Sequence, residues 1–171
     1  GDRFTFHDLS FQRMDEVSSE SEFDGVIMDL GISSFQLMEP LKGFSFRLDA
    51  PIDMRLDPRV GISAAEFLET ASRESLVRAI REYGEEKRWN RVVNAIIEAR
   101  GSGVLLRTTT AAELVSEAVG GRRFRQKIHP ATKTFQGIRI AINGEMEALA
   151  VTLPKAFRAL KPNGVLAVIS F

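Results

Sequence analysis

A short apolar run that ends in an acid is the part of this chain best suited to chemistry. Residues 25–34 read Gly-Val-Ile-Met-Asp-Leu-Gly-Ile-Ser-Ser. The run predicts a buried strand, and Asp29 at its carboxyl end stands where open α/β sheets bind ligands. Gly31 permits a sharp turn and a close approach of a ligand to the backbone, and Ser33 and Ser34 add hydroxyl groups. A strand followed by a purely structural turn explains the same residues, because acids at strand ends are common in α/β folds.

The segment 31–58 shows little helical periodicity and carries alternating charges. Three arginines and three aspartates alternate there and just beyond it: Arg47, Asp49, Asp53, Arg55, Asp57 and Arg59. One interpretation is a surface loop crossed by ion pairs, which are weak when exposed. The other is an ordered loop whose aromatic rings stack on a base and whose Arg47 and Arg55 bind RNA phosphates. The sequence leaves both interpretations open.

A strongly basic segment lies between residues 122 and 139, with six lysines and arginines and no acid, in a chain of zero formal net charge. Phe124 and Phe135 are interleaved with the basic side chains, a pattern suited to RNA. The candidates for RNA contact here are Arg123, Arg125, Lys127, His129 and Lys133. The alternative is a solvated basic loop whose phenylalanines belong to the core.

Composition excludes several classes of protein. The 171 residues are 44% hydrophobic and 27% charged, which is enough to bury a core. With no cysteine and two distant histidines, disulfides, a cysteine nucleophile and a histidine metal site are not expected, and no metal site is predicted. No apolar run reaches the roughly 18 residues needed to cross a membrane, and no signal peptide is recognisable. Nucleotide hydrolysis and dinucleotide-dependent oxidation are disfavoured, because neither glycine-rich phosphate motif is present.

The pattern of apolar residues predicts two strands flanking a helical insertion. Residues 165–171 form the second apolar run, and a kink or restart is expected at Pro154 in the helix before it. Helices are predicted at 64–71, 74–83, 85–100, 111–119, 131–142 and 145–160. The fold class is therefore α/β, part of a doubly wound domain formed by 1–58 and 128–171 and interrupted by a helical subdomain at 59–127.

Five motifs in order resemble those of one family. They are Asp-Leu-Gly-Ile-Ser-Ser-Phe-Gln-Leu at 29–37, Gly-Phe-Ser-Phe-Arg at 43–47, Pro-Ile-Asp-Met-Arg-Leu-Asp-Pro at 51–58, Glu-Tyr-Gly-Glu-Glu at 82–86, and Lys-Ile-His-Pro-Ala-Thr-Lys-Thr-Phe-Gln at 127–136. Together they resemble the small-subunit ribosomal RNA cytosine-N4 methyltransferases (the RsmH or MraW family). The similarity extends along the chain from about Phe23.

The resemblance implies a class I, Rossmann-like methyltransferase fold with a helical insertion, and S-adenosylmethionine as cofactor. It implies N4-methylation of a cytidine in small-subunit ribosomal RNA, with that RNA or the assembled small subunit as partner. The location that it implies is the bacterial cytoplasm, and an organelle is the alternative left open. Asp29, Gly31 and Gln36 are then cofactor-site residues. Phe11 corresponds to a family phenylalanine near the adenine, although the spacing there differs by one residue.

The resemblance also implies how the chemistry is divided. Asp29, Ser33 and Ser34 stand where amino-methyltransferases place acceptors for the target amine, and Asp29 orients either that amine or the methionine part of the cofactor. The family's glycine-rich cofactor turn would precede Gly1, and a His-Ser-Leu-Glu-Asp-Arg motif would follow Phe171. An internal fragment of the enzyme is therefore expected. A non-catalytic RNA-binding module is the alternative.

Overall fold

The computed structural model describes residues 4–121 and 128–170, and the chain divides into two compact units. The sheet unit consists of Gly1–Ile32 and Glu145–Phe171, and the helical unit is Ser33–Gly144. A mixed helix and strand structure with a small parallel sheet is thus present. The assignment of 59–127 to an inserted subdomain stays a prediction.

Two strands and seven α-helices make up most of the described residues. The strands are β1 (Phe23–Asp29) and β2 (Leu160–Ile169). The helices are α1 (Ser34–Met38), α2 (Ala64–Thr70), α3 (Arg73–Val77), α4 (Trp89–Ala99), α5 (Thr108–Ala118), α6 (Thr132–Asn143) and α7 (Glu145–Ala159). Short 3₁₀ helices cover Phe11–Glu16, Pro40–Lys42 and Val104–Leu106, and a π-helical turn covers Arg78–Tyr83. No helix in 4–121 or 128–170 is both long and apolar enough to cross a membrane.

The sheet unit is built on one parallel strand pair. β1 and β2 lie in register from Gly25 opposite Val165 to Asp29 opposite Ile169. Parallel strands need a long crossover connection, and the whole helical unit lies in the sequence between them. The apolar sequence of β1 predicts a strand that is covered on both faces. Met28 is buried but Ile27 is 75% exposed, so only one face of β1 is covered. Two strands and one packed helix provide cover for a single face.

A bulge interrupts β2 at residues 161–164, Lys-Pro-Asn-Gly, whose composition favours a turn. Phe23 pairs with Leu160 and Gly25 with Val165, so residues 161–164 face the single residue Asp24. Asn163 adopts a left-handed backbone with φ of +68° there. The Lys161 ammonium lies 3.0 Å from the Asp24 carboxylate, an exposed contact that adds little stability.

α7 holds the beginning of the sheet unit in place. The backbone N–H groups of Ser21 and Glu22 donate to the Arg158 and Ala159 carbonyls, which satisfies the last turn of the helix. α7 runs through Pro154 as one element, so the helix does not restart there, and the alternative of a kink stays a prediction. Proline removes one N–H, whose acceptor would be the carbonyl of the exposed Ala150, and water can bind that carbonyl instead.

Serine caps start the first helices of the helical unit where the sequence places them. The Glu66 N–H donates to Ser63 Oγ at the start of α2, and the Ser75 N–H donates to Ser72 Oγ at the start of α3, both at 3.2 Å. The sequence places a further helix at 111–119 with Thr110 as its cap, which is wrong, because α5 begins at Thr108 and the Thr110 hydroxyl donates to the Val104 carbonyl. The core of this unit is aliphatic: its fully buried side chains include Ile52, Met54, Leu76, Ile80, Val92, Val93, Ile96, Leu105 and Ile138.

α3 continues into a π-helical turn that packs against α6 with almost no space between the backbones. A Cβ atom placed on Gly84 would lie 2.5 Å from the Lys133 carbonyl oxygen, and one placed on Gly137 would lie 2.7 Å from the Gly84 nitrogen. Glycine is therefore required at both contacts. The sequence predicts an ordinary helix over 74–83 and another from 85, whereas the π turn ends at Tyr83 and α4 begins at Trp89.

The hydroxyl of Thr134 is buried at this packing surface and has no hydrogen-bond partner within the described residues. Replacing an unpaired buried hydroxyl by a methyl group of the same shape removes a desolvation cost. We therefore expect Thr134→Val to leave the free energy of unfolding unchanged or to raise it by up to about 1 kcal/mol, as measured by chemical denaturation. Thr134→Ala is the control, since it removes packing as well and should destabilise. A loss of stability in Thr134→Val, which keeps the shape of the side chain, would mean that the hydroxyl binds an internal water.

Candidate functional site

The acid that ends β1 lies at the carboxyl end of the parallel pair. Asp29 is exposed and stands opposite Ile169, and the next N–H, of Leu30, still donates to the Ile169 carbonyl at 3.0 Å. Gly31 follows with φ of +109°, a conformation that favours glycine, and a Cβ placed on it would meet no atom within 4 Å. An exposed carboxylate beside open backbone can accept hydrogen bonds from an amine or ammonium group.

Ser33 and Gln36 form a reciprocal capping box at the start of α1. The Gln36 N–H donates to Ser33 Oγ at 3.2 Å, and the Ser33 N–H donates to Gln36 Oε1 at 3.0 Å. Ser34 is the first residue of the helix. The capping box fixes both side chains and leaves the Gln36 amide –NH₂ free to donate to a ligand.

The remaining predicted cofactor residue, Phe11, begins the 3₁₀ helix Phe11–Glu16 and is partly exposed. That helix is held on α7 by Lys155, whose ammonium donates to the Gln12 carbonyl at 2.6 Å and to the Asp15 carboxylate at 2.7 Å. Phe11, Asp29 and Gly31 belong to the sheet unit, whereas Ser33 and Gln36 belong to the helical unit. Their roles at a cofactor stay predictions.

The long segment after α1 is ordered by contacts with distant parts of the helical unit. The Met54 N–H donates to the Lys42 carbonyl at 2.7 Å, and Met54 is 1% exposed. Asn143 at the end of α6 accepts from the Leu56 N–H and donates to the Met54 carbonyl, both at 2.8 Å. At Gly43 the loop turns so closely that a Cβ would lie 2.9 Å from the Asp53 nitrogen.

A second anchor joins this loop to the start of α5. The hydroxyl of Thr108 donates to the Leu48 carbonyl at 2.7 Å and accepts from the Ala50 N–H at 3.0 Å. The Asp49 carboxylate accepts from the Arg107 guanidinium and, at 2.6 Å, from the Thr109 hydroxyl. These bonds, with that from Arg107 the strongest influence, hold the pKa of Asp49 below its usual range.

Two of the three arginines in the alternating set have local carboxylate partners. The Arg55 guanidinium donates through two nitrogens to Asp53, each at 2.7 Å, and also to the Pro58 carbonyl. Arg59 pairs with Asp57 in the same two-pronged way. Arg47 is exposed and has no ion-pair partner within the described residues. The ion-paired interpretation therefore describes Arg55 and Arg59, while contact of Arg47 and Arg55 with RNA stays a prediction.

The second and fifth motifs meet in an aromatic cluster. The rings of Phe46 and His129 lie 4.5 Å apart at 40°, and Phe135 meets Phe46 edge-on at 5.0 Å. His129 Nδ1 accepts the Ala131 N–H at 3.2 Å, which fixes the imidazole at the start of α6. The Lys133 ammonium donates to the Glu85 carbonyl at 3.2 Å and so joins the fourth motif to the fifth. Arg123, Arg125 and Lys127 lie outside the described residues.

The family model described as the MraW methylase family matches residues 1–171. The chain belongs to the MraW methylase family. Similar proteins named ribosomal RNA small subunit methyltransferase H occur in Xylella fastidiosa strain M23, 44% identical over 165 residues, and in Nitrosospira multiformis, 42% identical over 173 residues. A third, from Syntrophotalea carbinolica, is 46% identical over 148 residues.

The chain spans about half the length of the MraW relatives it matches. The alignments cover 95% of the chain and 53% of the Xylella protein, 99% and 55% for Nitrosospira, and 86% and 47% for Syntrophotalea. The match of the family model over residues 1–171 confirms the resemblance that the five motifs indicate.

The structure adds residues that sequence reasoning did not single out for the MraW site. Asn143 bridges the loop to α6, although the Asn-Gly that it begins reads in the sequence only as a helix end. Phe46 is paired with His129 across more than eighty residues of sequence, so no local pattern reveals the contact. Phe46 and His129 lie in quoted motifs, which is the signal that could have found their contact, whereas Asn143 lies seven residues beyond the last motif and has no such signal.

Acid should weaken the helical unit, because the loop carboxylates are held ionised by their arginine partners. The hydrogen bond from Arg59 lowers the pKa of Asp57 to about 2, and that from Arg55 lowers the pKa of Asp53. Stability from such a lowered pKa is present above about pH 4 and is lost as the pH falls toward 2. We expect Asp53→Asn to lower the melting temperature at pH 7 and to differ less from the parent at pH 2.5. Glu82→Gln, on an exposed side chain, is the control; an equal deficit at both pH values would contradict the assignment.

Proposed function

We propose that the whole protein of which this chain is about half methylates the N4 amine of a cytidine in small-subunit ribosomal RNA, with S-adenosylmethionine as methyl donor. The observation that carries the proposal is the family match over residues 1–171, in a chain that presents Asp29 at the carboxyl end of a parallel strand pair. The proposal includes a class I fold interrupted by a helical subdomain at 59–127, and it is supported by the order of the elements, in which the helical unit lies between the two strands. The cytoplasm is the proposed location.

The residues at the strand end suit this cofactor and this amine. S-Adenosylmethionine, when bound, supplies a methyl group activated by a sulfonium centre. The Asp29 carboxylate accepts hydrogen bonds either from the target amine or from the ammonium of the methionine portion. Gly31 leaves room for a ligand at the backbone, and the Gln36 amide contributes a donor. In the proposal Phe11 lies near the adenine, and the Ser33 and Ser34 hydroxyls stand beside the reacting amine.

A cytosine amine is a weak nucleophile, because its lone pair is delocalised into the ring. An acceptor that holds the amine hydrogens favours a tetrahedral nitrogen. The nitrogen lone pair can then attack the methyl carbon of the donor, on the side opposite the carbon–sulfur bond that breaks. Positioning of this kind supplies a large share of the rate in group transfer. The base must leave its stack to reach such a site.

The distribution of charge supports RNA as the partner. Ser33–Gly144 contains 18 lysines and arginines and 13 acids, a formal charge of +5, and the rest of the chain carries −5. The zero net charge therefore conceals a basic unit and an acidic one. A basic unit that includes residues 122–139 and exposed Arg47 fits phosphate contacts that weaken as salt rises.

The test is methyl transfer by the full-length protein to small ribosomal subunits and to free small-subunit RNA, with N4-methylcytidine identified by mass spectrometry. Absence of that nucleoside with both substrates would overturn the proposal. Binding of RNA by the full-length protein without binding of S-adenosylmethionine, measured by calorimetric titration, would instead favour a non-catalytic RNA-binding module. The family match favours the enzyme.

A further inference from the structure

We propose that Phe46 and His129 together form a stacking platform for one nucleobase of single-stranded RNA. The proposal rests on the proposed function insofar as RNA is the partner, and it adds a base-binding site to it. Phe46 lies in the Gly-Phe-Ser-Phe-Arg motif, and His129 precedes α6. Their ring centroids are 4.5 Å apart.

The rings of Phe46 and His129 are only half-buried. The buried core of the helical unit is aliphatic, apart from Phe44 and Phe135, whereas Phe46 and His129 are half-buried and keep part of their surface open to solvent. Phe135, 5% exposed, meets Phe46 edge-on at 79° and supports it from the core side. An aromatic pair supported by the core and open to solvent is the arrangement on which bases stack, because every base has an apolar face.

The positions of Phe46 and His129 are fixed before any ligand binds. The Ala131 N–H donates to His129 Nδ1 at 3.2 Å. Ala131 itself and Pro130, which lies between the two residues in the sequence, are both buried. Phe46 follows Gly43 and Phe44, where the loop backbone touches Asp53 closely and Phe44 is 6% exposed. A fixed platform loses little conformational entropy on binding, which favours affinity.

Basic residues stand close in the sequence to Phe46 and His129. Arg47 directly follows Phe46, is exposed and has no carboxylate partner within residues 4–121 and 128–170. Lys133 lies in the first turn of α6, four residues after His129. A base on the two rings would therefore place its phosphates in basic surroundings, as single-strand binding requires.

The test is fluorescence anisotropy of this 171-residue chain with a labelled decacytidylate, and with a decamer of the same backbone that lacks bases. We expect Phe46→Leu to weaken binding of decacytidylate about 5- to 100-fold, because it removes the ring while keeping an apolar side chain. Phe46→Tyr should stay within about twofold of the parent, since it keeps the ring. Phe157→Leu is the matched control, because Phe157 is 74% exposed on α7 in the sheet unit.

Equal affinity of Phe46→Leu and the parent for decacytidylate would overturn the platform, and so would an equal loss with the decamer that lacks bases. If Phe46→Leu does not give a cooperative thermal transition, His129→Leu replaces it under the same criteria. Failure of the parent chain to bind decacytidylate would also reject the platform. Methyl transfer by the full-length enzyme is scored separately, so normal methylation with an unchanged RNA KM in Phe46→Leu rejects the platform alone. Base-dependent binding without methyl transfer rejects only the proposed function.

Discussion

Asp29→Ala in the full-length protein is expected, on the proposed function, to lower methyl transfer on the order of a hundredfold or more, the usual effect of losing a polar group that faces the reacting atoms. Asp29 is exposed at the end of β1 with Gly31 open beside it, so its carboxylate is available to a ligand. The measurement is the initial rate of methyl transfer to small ribosomal subunits at varied cofactor concentration.

The kinetic pattern of this variant separates the two roles open to Asp29. A fall in kcat at saturating cofactor indicates contact with the target amine, whereas a raised KM for S-adenosylmethionine with unchanged kcat indicates contact with the methionine portion. Asp24→Ala is the matched control, because Asp24 lies on the same strand with its side chain 89% exposed and makes only an exposed ion pair with Lys161. Both constants within about twofold of the parent in Asp29→Ala would remove the residue from the chemistry.

Gly137→Ala is expected to be among the most destabilising single methyl additions in the chain. The added Cβ would meet the Ala79 carbonyl oxygen and would lie 2.7 Å from the Gly84 nitrogen, all backbone atoms that cannot move aside. Overpacking costs about 1–3 kcal/mol, occasionally more, and outweighs the roughly 1 kcal/mol that alanine gains over glycine in a helix. The melting temperature should fall by several degrees, as measured by circular dichroism.

Gln136→Ala, at the exposed neighbouring position of α6, is the control for this variant. It keeps the helix and removes only a solvated side chain, so its melting temperature should stay within about 2 °C of the parent. A Gly137→Ala protein as stable as the parent would mean that α6 and the π-helical turn separate at little cost. Such a result would also weaken the argument that the start of α6 is rigid.

Local signals in the sequence predict the helical unit well. Serine followed three residues later by an acid or a small polar residue marks the starts of α2 and α3, because a cap satisfies backbone N–H groups within one turn. Apolar spacing likewise identifies α4 and α6. The π-helical turn at Arg78–Tyr83 could not be predicted in this way, because packing of Gly84 and Gly137 against neighbouring backbone accompanies it.

The candidate site divides in the same way. Asp29 and Gly31 follow a recognisable strand, so the sequence alone marks them. The reciprocal bonds of Ser33 and Gln36 are also local, at the spacing of a capping box, but the sequence does not predict α1, because residues 31–58 show little helical periodicity. In contrast, the partners of the loop arginines depend on side-chain geometry: Arg55 turns to Asp53, while Asp49 pairs with the distant Arg107.

The sequence by itself determined the family, through five motifs in order, and the acid at the end of β1, because both are encoded in short runs of residues. Only the tertiary structure decided which distant residues meet: Phe46 with His129, Gly84 with Gly137, and Asn143 with the backbone of Met54 and Leu56. The physical reason is that backbone and ring contacts between residues tens of positions apart depend on the packing of whole helices. No pattern within a single segment records that packing.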